Sequence, residues 1–183
     1  MKPAIGLIEL SSIARGLLVS DAMIKKAPVE ILMSQTTSPG KYLILVNGDV
    51  ASVQESTQVA IALSESFLID SLFIPHVHEQ VVPGIKKVFS KKELNSVGVV
   101  ETASVASAII SLDQALKAAT VYLIDMRLGQ GLGGKGYFVL SGELSEIEAA
   151  VFAANRSLEE NKMGVKSEII ARPHEDFVVR QTL

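Results

Sequence analysis

The chain contains the same sequence pattern twice. Residues 5–31 align without a gap with residues 97–123, and eight of these 27 positions are identical. The identical pairs are Gly6/Gly98, Glu9/Glu101, Ser12/Ser104, Ala14/Ala106, Asp21/Asp113, Lys25/Lys117, Ala27/Ala119 and Val29/Val121. A shared hydrophobic pattern does not explain matched Glu, Asp and Lys residues, so the repeat indicates two copies of one module.

Two shorter blocks continue the repeat in the same order. Residues 40–50 match residues 134–144, and the segments IPHVHE and IARPHE match near the end of each copy. A polar stretch, SKKELNS, separates the copies. The sequence therefore predicts two domains of nearly equal length, residues 1–91 and residues 92–183.

Each copy shows the same succession of strand and helix patterns. In the first copy a strand precedes Ser11 and Ser12, either of which is placed to cap the following helix, and the turn Ser38–Gly40 divides two further strands. In the second copy the buried helix faces are predicted at Val105, Ile109, Leu112 and Leu116, and at Leu144, Ile147, Val151 and Leu158. The order β-α-β-β-α-β predicts an α+β fold, two ferredoxin-like domains with antiparallel sheets.

Composition argues against several classes of function. The 17 basic and 20 acidic residues give a net charge of -3, and aromatic residues make up 5%, which disfavours nucleic-acid binding. The apolar runs are far shorter than the roughly 20 residues that a membrane span needs, and no signal-like segment opens the chain, so we expect a cytoplasmic protein. The absence of cysteine removes thiolate nucleophiles and thiolate metal ligands.

Several short motifs stand in a fixed order within the repeat. The first copy has GLIE in its first strand, followed by the predicted helix and the turn TSPGK. The second copy has the turn GGKG and ends with RPHE. In this order they resemble the bacterial microcompartment (BMC) shell family, over essentially the whole chain. The arrangement is similar to that of the unpermuted members with two tandem domains.

The resemblance implies a structural protein that is not an enzyme. Tandem members of the family form homotrimers that imitate a hexamer, and these pseudohexamers tile with other shell proteins into the microcompartment shell in the cytoplasm. The centre of each tile is a pore for small polar metabolites. Threefold closure of a chain with two similar modules generates a quasi-sixfold ring, which gives the implied assembly a physical basis.

The resemblance also implies which residues line the pore. In the family the loop between the second and third strands faces the pore, and here these loops supply Thr37, Ser38, Pro39, Gly40, Gly131, Leu132 and Gly133. In close relatives the position of Ser38 carries a cysteine, three copies of which hold an iron-sulfur cluster. A serine hydroxyl is a poor iron ligand beside a thiolate, so we expect no cofactor and no metal.

Lys25, Lys117 and Arg172 are the residues that the resemblance places at the edge between tiles. Each lysine follows an aspartate by four residues, and considered alone such a pair on a helix is an ordinary solvated ion pair. His76 stands at the place of Arg172 in the first copy. We therefore expect the two edges to differ.

Other features suggest chemistry only weakly. Residues 129–136, GQGLGGKG, satisfy the phosphate-loop pattern GxxxxGK, but a strand pattern follows where a phosphate loop needs a helix. Lys135 then either favours small anions or is tied to backbone carbonyls. His76 and His78 lack a third metal ligand at usable spacing, and Glu9 and Glu101 have no evident catalytic partner.

A different class of function stays open at this point. A tandem ferredoxin-like regulatory protein that binds a small ligand between its two copies has the same predicted fold. Such a protein would be a monomer or compact dimer and would not assemble into sheets.

Overall fold

A computed structural model of the chain describes residues 3–89, 95–160 and 164–177. Contacts divide it into two compact units, Met1–Glu79 and Gln80–Leu183. Residues 80–89 therefore pack with the second unit, although the repeat places them at the end of the first copy. The boundary between residues 91 and 92 describes the sequence repeat and stays a prediction.

The first unit is a four-stranded antiparallel sheet with two helices. Its elements are β1 (Ala4–Leu10), α1 (Ile13–Lys26), β2 (Glu30–Thr37), β3 (Lys41–Gly48), α2 (Val50–Ser64) and β4 (Leu68–Ile74), with one 3-10 turn at Glu65–Phe67. The strand order in the sheet is β2-β3-β1-β4. The predicted order of elements is confirmed.

The second unit repeats this arrangement after one short extra helix. Its elements are α3 (Val81–Ile85), β5 (Ser96–Thr102), α4 (Val105–Ala118), β6 (Tyr122–Leu128), β7 (Gly136–Gly142), α5 (Leu144–Glu160) and β8 (Val165–Ile170). The strand order is β6-β7-β5-β8, so both sheets share one topology and the α+β prediction is confirmed. The sequence pattern did not predict α3. In the described part of the chain, no helix has the length and apolar character that crossing a membrane requires.

The helices begin where side-chain caps are available. Ser12, not Ser11, accepts a hydrogen bond from the Arg15 backbone N–H, and Ser104 does the same for the matching helix of the second unit. Asp49 caps α2 by accepting hydrogen bonds from the hydroxyl and the backbone N–H of Ser52, at 2.6 and 3.0 Å. These bonds stabilise the carboxylate and hold the pKa of Asp49 below its ordinary value.

The predicted helix faces form the core of the second unit, with one exception. Seven of the eight residues are buried: Val105, Ile109, Leu112, Leu116, Ile147, Val151 and Leu158. Leu144 is 40% exposed. It is the first residue of α5, so the buried face of that helix begins one turn later, at Ile147.

A glycine shared by both copies lets the second helix lie directly on the central strand. A Cβ atom added at Gly6 would lie 2.3 Å from Thr57 Oγ1 on α2, and one added at Gly98 would lie 2.9 Å from Val151 Cγ2 on α5. Any larger residue would push the helix off the sheet. The identity of these glycines in the repeat therefore has a packing cause.

Where the first helix of each module packs on the sheet, one position on the helix and one on the third strand share a limited space. The two modules fill this space with different residues. In the first unit Gly16 on α1 lies under the ring of Tyr42, and a Cβ atom there would come within 2.3 Å of Tyr42 Cδ1. In the second unit the matching positions are Ala108 and Gly136, where a Cβ atom on Gly136 would lie 2.6 Å from Ala108 Cβ. Each module thus has room for only one of the two side chains.

We expect Gly16→Ala to destabilise the protein, although alanine is the better helix former by about 1 kcal/mol. The added methyl group collides with the Tyr42 ring, and overpacking of this kind costs about 1–3 kcal/mol. Urea unfolding at a fixed protein concentration measures the effect. The double variant Gly16→Ala/Tyr42→Gly, which recreates the arrangement of the second unit, should lose less stability than the two single variants added together. Strict additivity would contradict the collision.

Candidate functional site

The loop between β2 and β3 is a tight turn of three residues. Thr37 pairs with Lys41 across the hairpin, which leaves Ser38, Pro39 and Gly40 in the turn. The Ser38–Pro39 peptide bond is cis, and Gly40 has a φ of +70°, which glycine adopts without strain. Pro39 and Gly40 are exposed and Ser38 is half-buried. Thr37 is buried, and its hydroxyl has no hydrogen-bond partner among the described residues, so the turn exposes only part of the predicted pore set.

The matching loop between β6 and β7 is longer and rich in glycine. Gly129 donates a backbone hydrogen bond to Lys135 O at 2.8 Å, and Lys135 donates one to Leu132 O at 3.2 Å. Four glycines of the loop have positive φ values, between 63° and 89°: Gly129, Gly131, Gly133 and Gly134. Gly131 and Gly133 are exposed, and Leu132 is half-buried. The strand β7 follows directly, so the loop lacks the helix that a phosphate-binding loop requires.

A lysine next to each loop is neutralised by a glutamate on the central strand. Lys41 Nζ lies 3.1 Å from Glu9 Oε1, and Lys135 Nζ lies 2.7 Å from Glu101 Oε1. Lys135 therefore contacts a carboxylate, where the sequence suggested backbone carbonyls or a free charge. All four residues are matched in the repeat. The repeat was the one sign in the sequence that these residues have a role. Their contact depends on the pairing of β1 with β3 and of β5 with β7, which brings each lysine next to its glutamate.

The two lysine–glutamate pairs differ in burial. The side chain of Glu9 is 2% exposed, whereas that of Glu101 is 43% exposed. The hydrogen bond and charge of Lys135 hold the pKa of Glu101 below its ordinary value. Beside this second pair an open cavity of about 200 Å³ is lined by Glu101, Thr102, Ala103, Lys135, Gly164, Val165 and Lys166.

The predicted edge lysines both form ion pairs within their own helices. Lys25 Nζ lies 2.5 Å from Asp21 Oδ2, and both side chains are more than half exposed. Lys117 Nζ lies 2.6 Å from Asp113 Oδ2, but this aspartate is only 1% exposed. Lys117 is thus held by a buried carboxylate, whereas Lys25 is held at the surface. Arg172 is exposed in the bend after β8.

The donor atoms present do not fit an iron-sulfur cluster. The half-buried Ser38 offers a hydroxyl where the cluster needs a thiolate, and the chain contains no cysteine. Among residues 3–89, 95–160 and 164–177, no group of three or more His, Cys, Asp or Glu residues is placed to hold a metal ion. His76 is exposed, with a φ of +56°.

Comparison with known protein families matches both halves of the chain to the same domain. The family model of the BMC domain matches residues 4–77 and again residues 96–173. The bacterial microcompartment shell protein PduT of Citrobacter freundii is 42% identical over 177 residues, which is 97% of this chain and 96% of that protein.

Solved structures agree with this sequence match. The crystal structure of a microcompartments protein from Desulfitobacterium hafniense DCB superimposes with a TM-score of 0.91 at 36% identity, over 96% of this chain and 97% of that one. The fused permuted hexameric shell protein from the RMM microcompartment gives a TM-score of 0.66 at 22% identity, over 87% and 85% of the two chains. The second likeness concerns the fold alone.

We expect Glu9→Gln to cost more stability than its matched counterpart Glu101→Gln. The first substitution removes the carboxylate partner of a largely buried lysine, which should cost about 1–3 kcal/mol. The second breaks an exposed pair, with an expected cost below about 1 kcal/mol. Urea unfolding at neutral pH compares them, and equal losses would contradict this ranking.

Folding lowers the pKa of Glu101, so the Glu101–Lys135 pair adds to the free energy of unfolding. This small stabilisation is fully present above the pKa that Glu101 has in the unfolded state. It is lost as the pH falls through the lower pKa of the folded state. The difference in stability between the Glu101→Gln variant and the unaltered protein should therefore shrink in acid.

Proposed function

The chain belongs to the BMC-domain family of bacterial microcompartment shell proteins, and we propose that three copies close into one pseudohexameric tile of the shell. Its role is structural, and the family is not enzymatic. The observation that carries the proposal is the duplication itself, since two units of one sheet topology are joined in a single chain. The regulatory alternative, a ligand-binding tandem protein, is not favoured.

Threefold closure follows from the symmetry of such a chain. Two similar modules offer two similar lateral surfaces, and a head-to-tail contact between chains closes into a ring when the rotation per chain is a third of a turn. The ring then contains six modules. Around its axis the short turn Ser38–Gly40 alternates with the longer loop Gly129–Gly134, so the central opening has two kinds of wall.

The loops suit a pore for small polar solutes. The turn at residues 38–40 and the loop at residues 129–134 contain no charged side chain. Lys41 and Lys135 beside the loops are paired with glutamates at 3.1 and 2.7 Å, which reduces their attraction for anions, and the Arg127 guanidinium lies near Gly131. Ser38 contributes a hydroxyl and the loop glycines contribute exposed backbone, both of which exchange hydrogen bonds with neutral metabolites.

Contacts with neighbouring tiles and other shell proteins are assigned to Lys25, Lys117 and Arg172. Lys25 is the more exposed of the two lysines, and its partner Asp21 is also exposed. Lys117 is fixed by buried Asp113, so its position is more rigid. The two edges of the chain therefore present unlike contacts, in keeping with the exchange of Arg172 for His76.

Light scattering and electron microscopy test this assembly. The purified protein should have three times the 19.5 kDa chain mass, and at high concentration it should form flat hexagonal sheets. Lys25→Ala should abolish the sheets and keep the trimer, because Asp21 is exposed and its loss of a partner leaves no buried charge. Lys26→Ala is the matched control, since Lys26 pairs with Glu55 at 3.4 Å, and it should retain the sheets. A single-chain mass at every concentration would overturn the proposal.

Ser38→Cys should convert the protein into one that holds an iron-sulfur cluster. Three thiolates from the three turns would then meet at the axis and supply the ligands that the hydroxyls do not. Anaerobic reconstitution with iron and sulfide, followed by visible absorption and electron paramagnetic resonance, measures the gain. Ser66→Cys, at an exposed position outside the turn, is the control. A cluster in the unaltered protein would contradict the donor argument.

A further inference from the structure

The first helix of each module carries the same apolar positions, but only one module covers them. On α1 the side chains of Ile13, Leu17, Leu18 and Ile24 are 42%, 58%, 51% and 47% exposed. The matching residues on α4 are Val105 and Ile109 at 0%, Ile110 at an intermediate value and Leu116 at 4%. The same difference appears on the next strand, where Ile31 is 36% exposed and Leu123 is 2% exposed. A cluster of exposed large apolar residues of this kind marks an interaction surface.

In the second unit the short segment 80–87 lies on this surface. Its helix α3 contacts both α4 and β6. Val81 and Ile85 are buried, and a Cβ atom added at Gly84 would lie 2.3 Å from Leu123 Cδ2. The glycine therefore allows the segment to approach the strand closely.

Polar groups of the same segment bind the edge of the sheet. The Gln80 side-chain amide donates to Val121 O at 3.0 Å and accepts from the Leu123 N–H at 2.9 Å. Lys87 Nζ donates to Met126 O. Because β6 is an edge strand, these bonds satisfy backbone groups that no neighbouring strand pairs.

By the repeat, the segment that covers the second module belongs to the first copy. QVVPGIKK at residues 80–87 follows IPHVHE, and DFVVRQTL at residues 176–183 follows the matching IARPHE. The backbone enters both segments in the same way, with a turn at residues 79–80 and again at residues 175–176. The closing segment of one module thus covers the next module along the chain.

We propose that residues 176–183 of one chain dock on the α1 and β2 surface of a second copy of the chain. This inference rests on the proposed trimer, because in a closed ring the module that follows the second module is the first module of the next chain. Residues 178–183 lie outside the described part of the structure. Each chain gives one segment and receives one, a head-to-tail contact that closes after three chains.

The first three residues of the segment suit this surface. Phe177 and Val178 occupy the places of Val81 and Val82, and they are apolar like the exposed residues of α1. Asp176 occupies the place of Gln80, and its carboxylate is able to accept a hydrogen bond from the Ile31 backbone N–H, which matches the Leu123 N–H. At the place of Gly84 the segment carries Arg180, so its contact with β2 must be wider there than the contact of Gly84 with Leu123.

Cysteine cross-linking tests the contact directly, because the chain has no cysteine of its own. The variant Ile31→Cys/Arg180→Cys places thiols at the positions that match Leu123 and Gly84. Mild oxidation, or a short bismaleimide, should produce covalent dimers and trimers on a denaturing gel. Gln58→Cys/Arg180→Cys is the control, with the first thiol on exposed α2, and should stay uncross-linked. Closure within one chain, or equal cross-linking of the control, would overturn the proposal.

A charge on the exposed helix face gives a second measurement. Leu17→Asp should convert the trimer to single chains in light scattering without changing the circular dichroism, since the side chain is 58% exposed. Phe152→Asp is the control, because Phe152 is 68% exposed but its match in the first module is the polar Gln58, and the trimer should persist. A trimer that tolerates Leu17→Asp and gives no cross-link would refute the docking but leave the tile intact. A single-chain mass for the unaltered protein would refute both.

Discussion

Each module depends on a helix that lies directly against the backbone of the central strand. Gly6 and Gly98 make this approach possible, because a Cβ atom at either position would meet a side chain of α2 or α5 within 3 Å. The close approach holds α2 or α5 directly on the central strand of its sheet. In both sheets the second and third strands of the module form a hairpin, and the hairpin loops lie next to Lys41 and Lys135. An identical glycine in two diverged copies reflects this single steric requirement.

Around that common frame the two modules have diverged in compensating ways. Tyr42 fits over Gly16 in the first module, and Ala108 fits beside Gly136 in the second. The glutamate of the loop-side ion pair is buried in one copy and half exposed in the other. These exchanges preserve packing and charge within each module, while they change the surface. The two modules therefore share one fold but differ in their loops and in their surface ion pairs.

The chemistry at the loops is consistent with a passive role. Residues 38–40 and 129–134 carry no charged side chain, the adjacent lysines are paired with glutamates, and the chain has no cysteine. A shell protein works through its shape and its contacts, so what matters is which surfaces are covered and by what. In this respect the two units differ at their first helices, where the face of α1 is exposed and the matching face of α4 is largely buried.

The sequence by itself determined the repeat, the order of elements and seven of the eight predicted core positions, and it narrowed the cap of α1 to Ser11 or Ser12, because helix caps and apolar periodicity act between residues a few positions apart. The resemblance to the shell family rested on the same local motifs. Only the tertiary structure decided that Glu9 pairs with Lys41, because their meeting depends on the register of β1 against β3. It also decided that residues 80–87 pack with the second unit and that Thr37 is buried. Those outcomes depend on contacts between residues far apart in the chain, which periodicity does not encode.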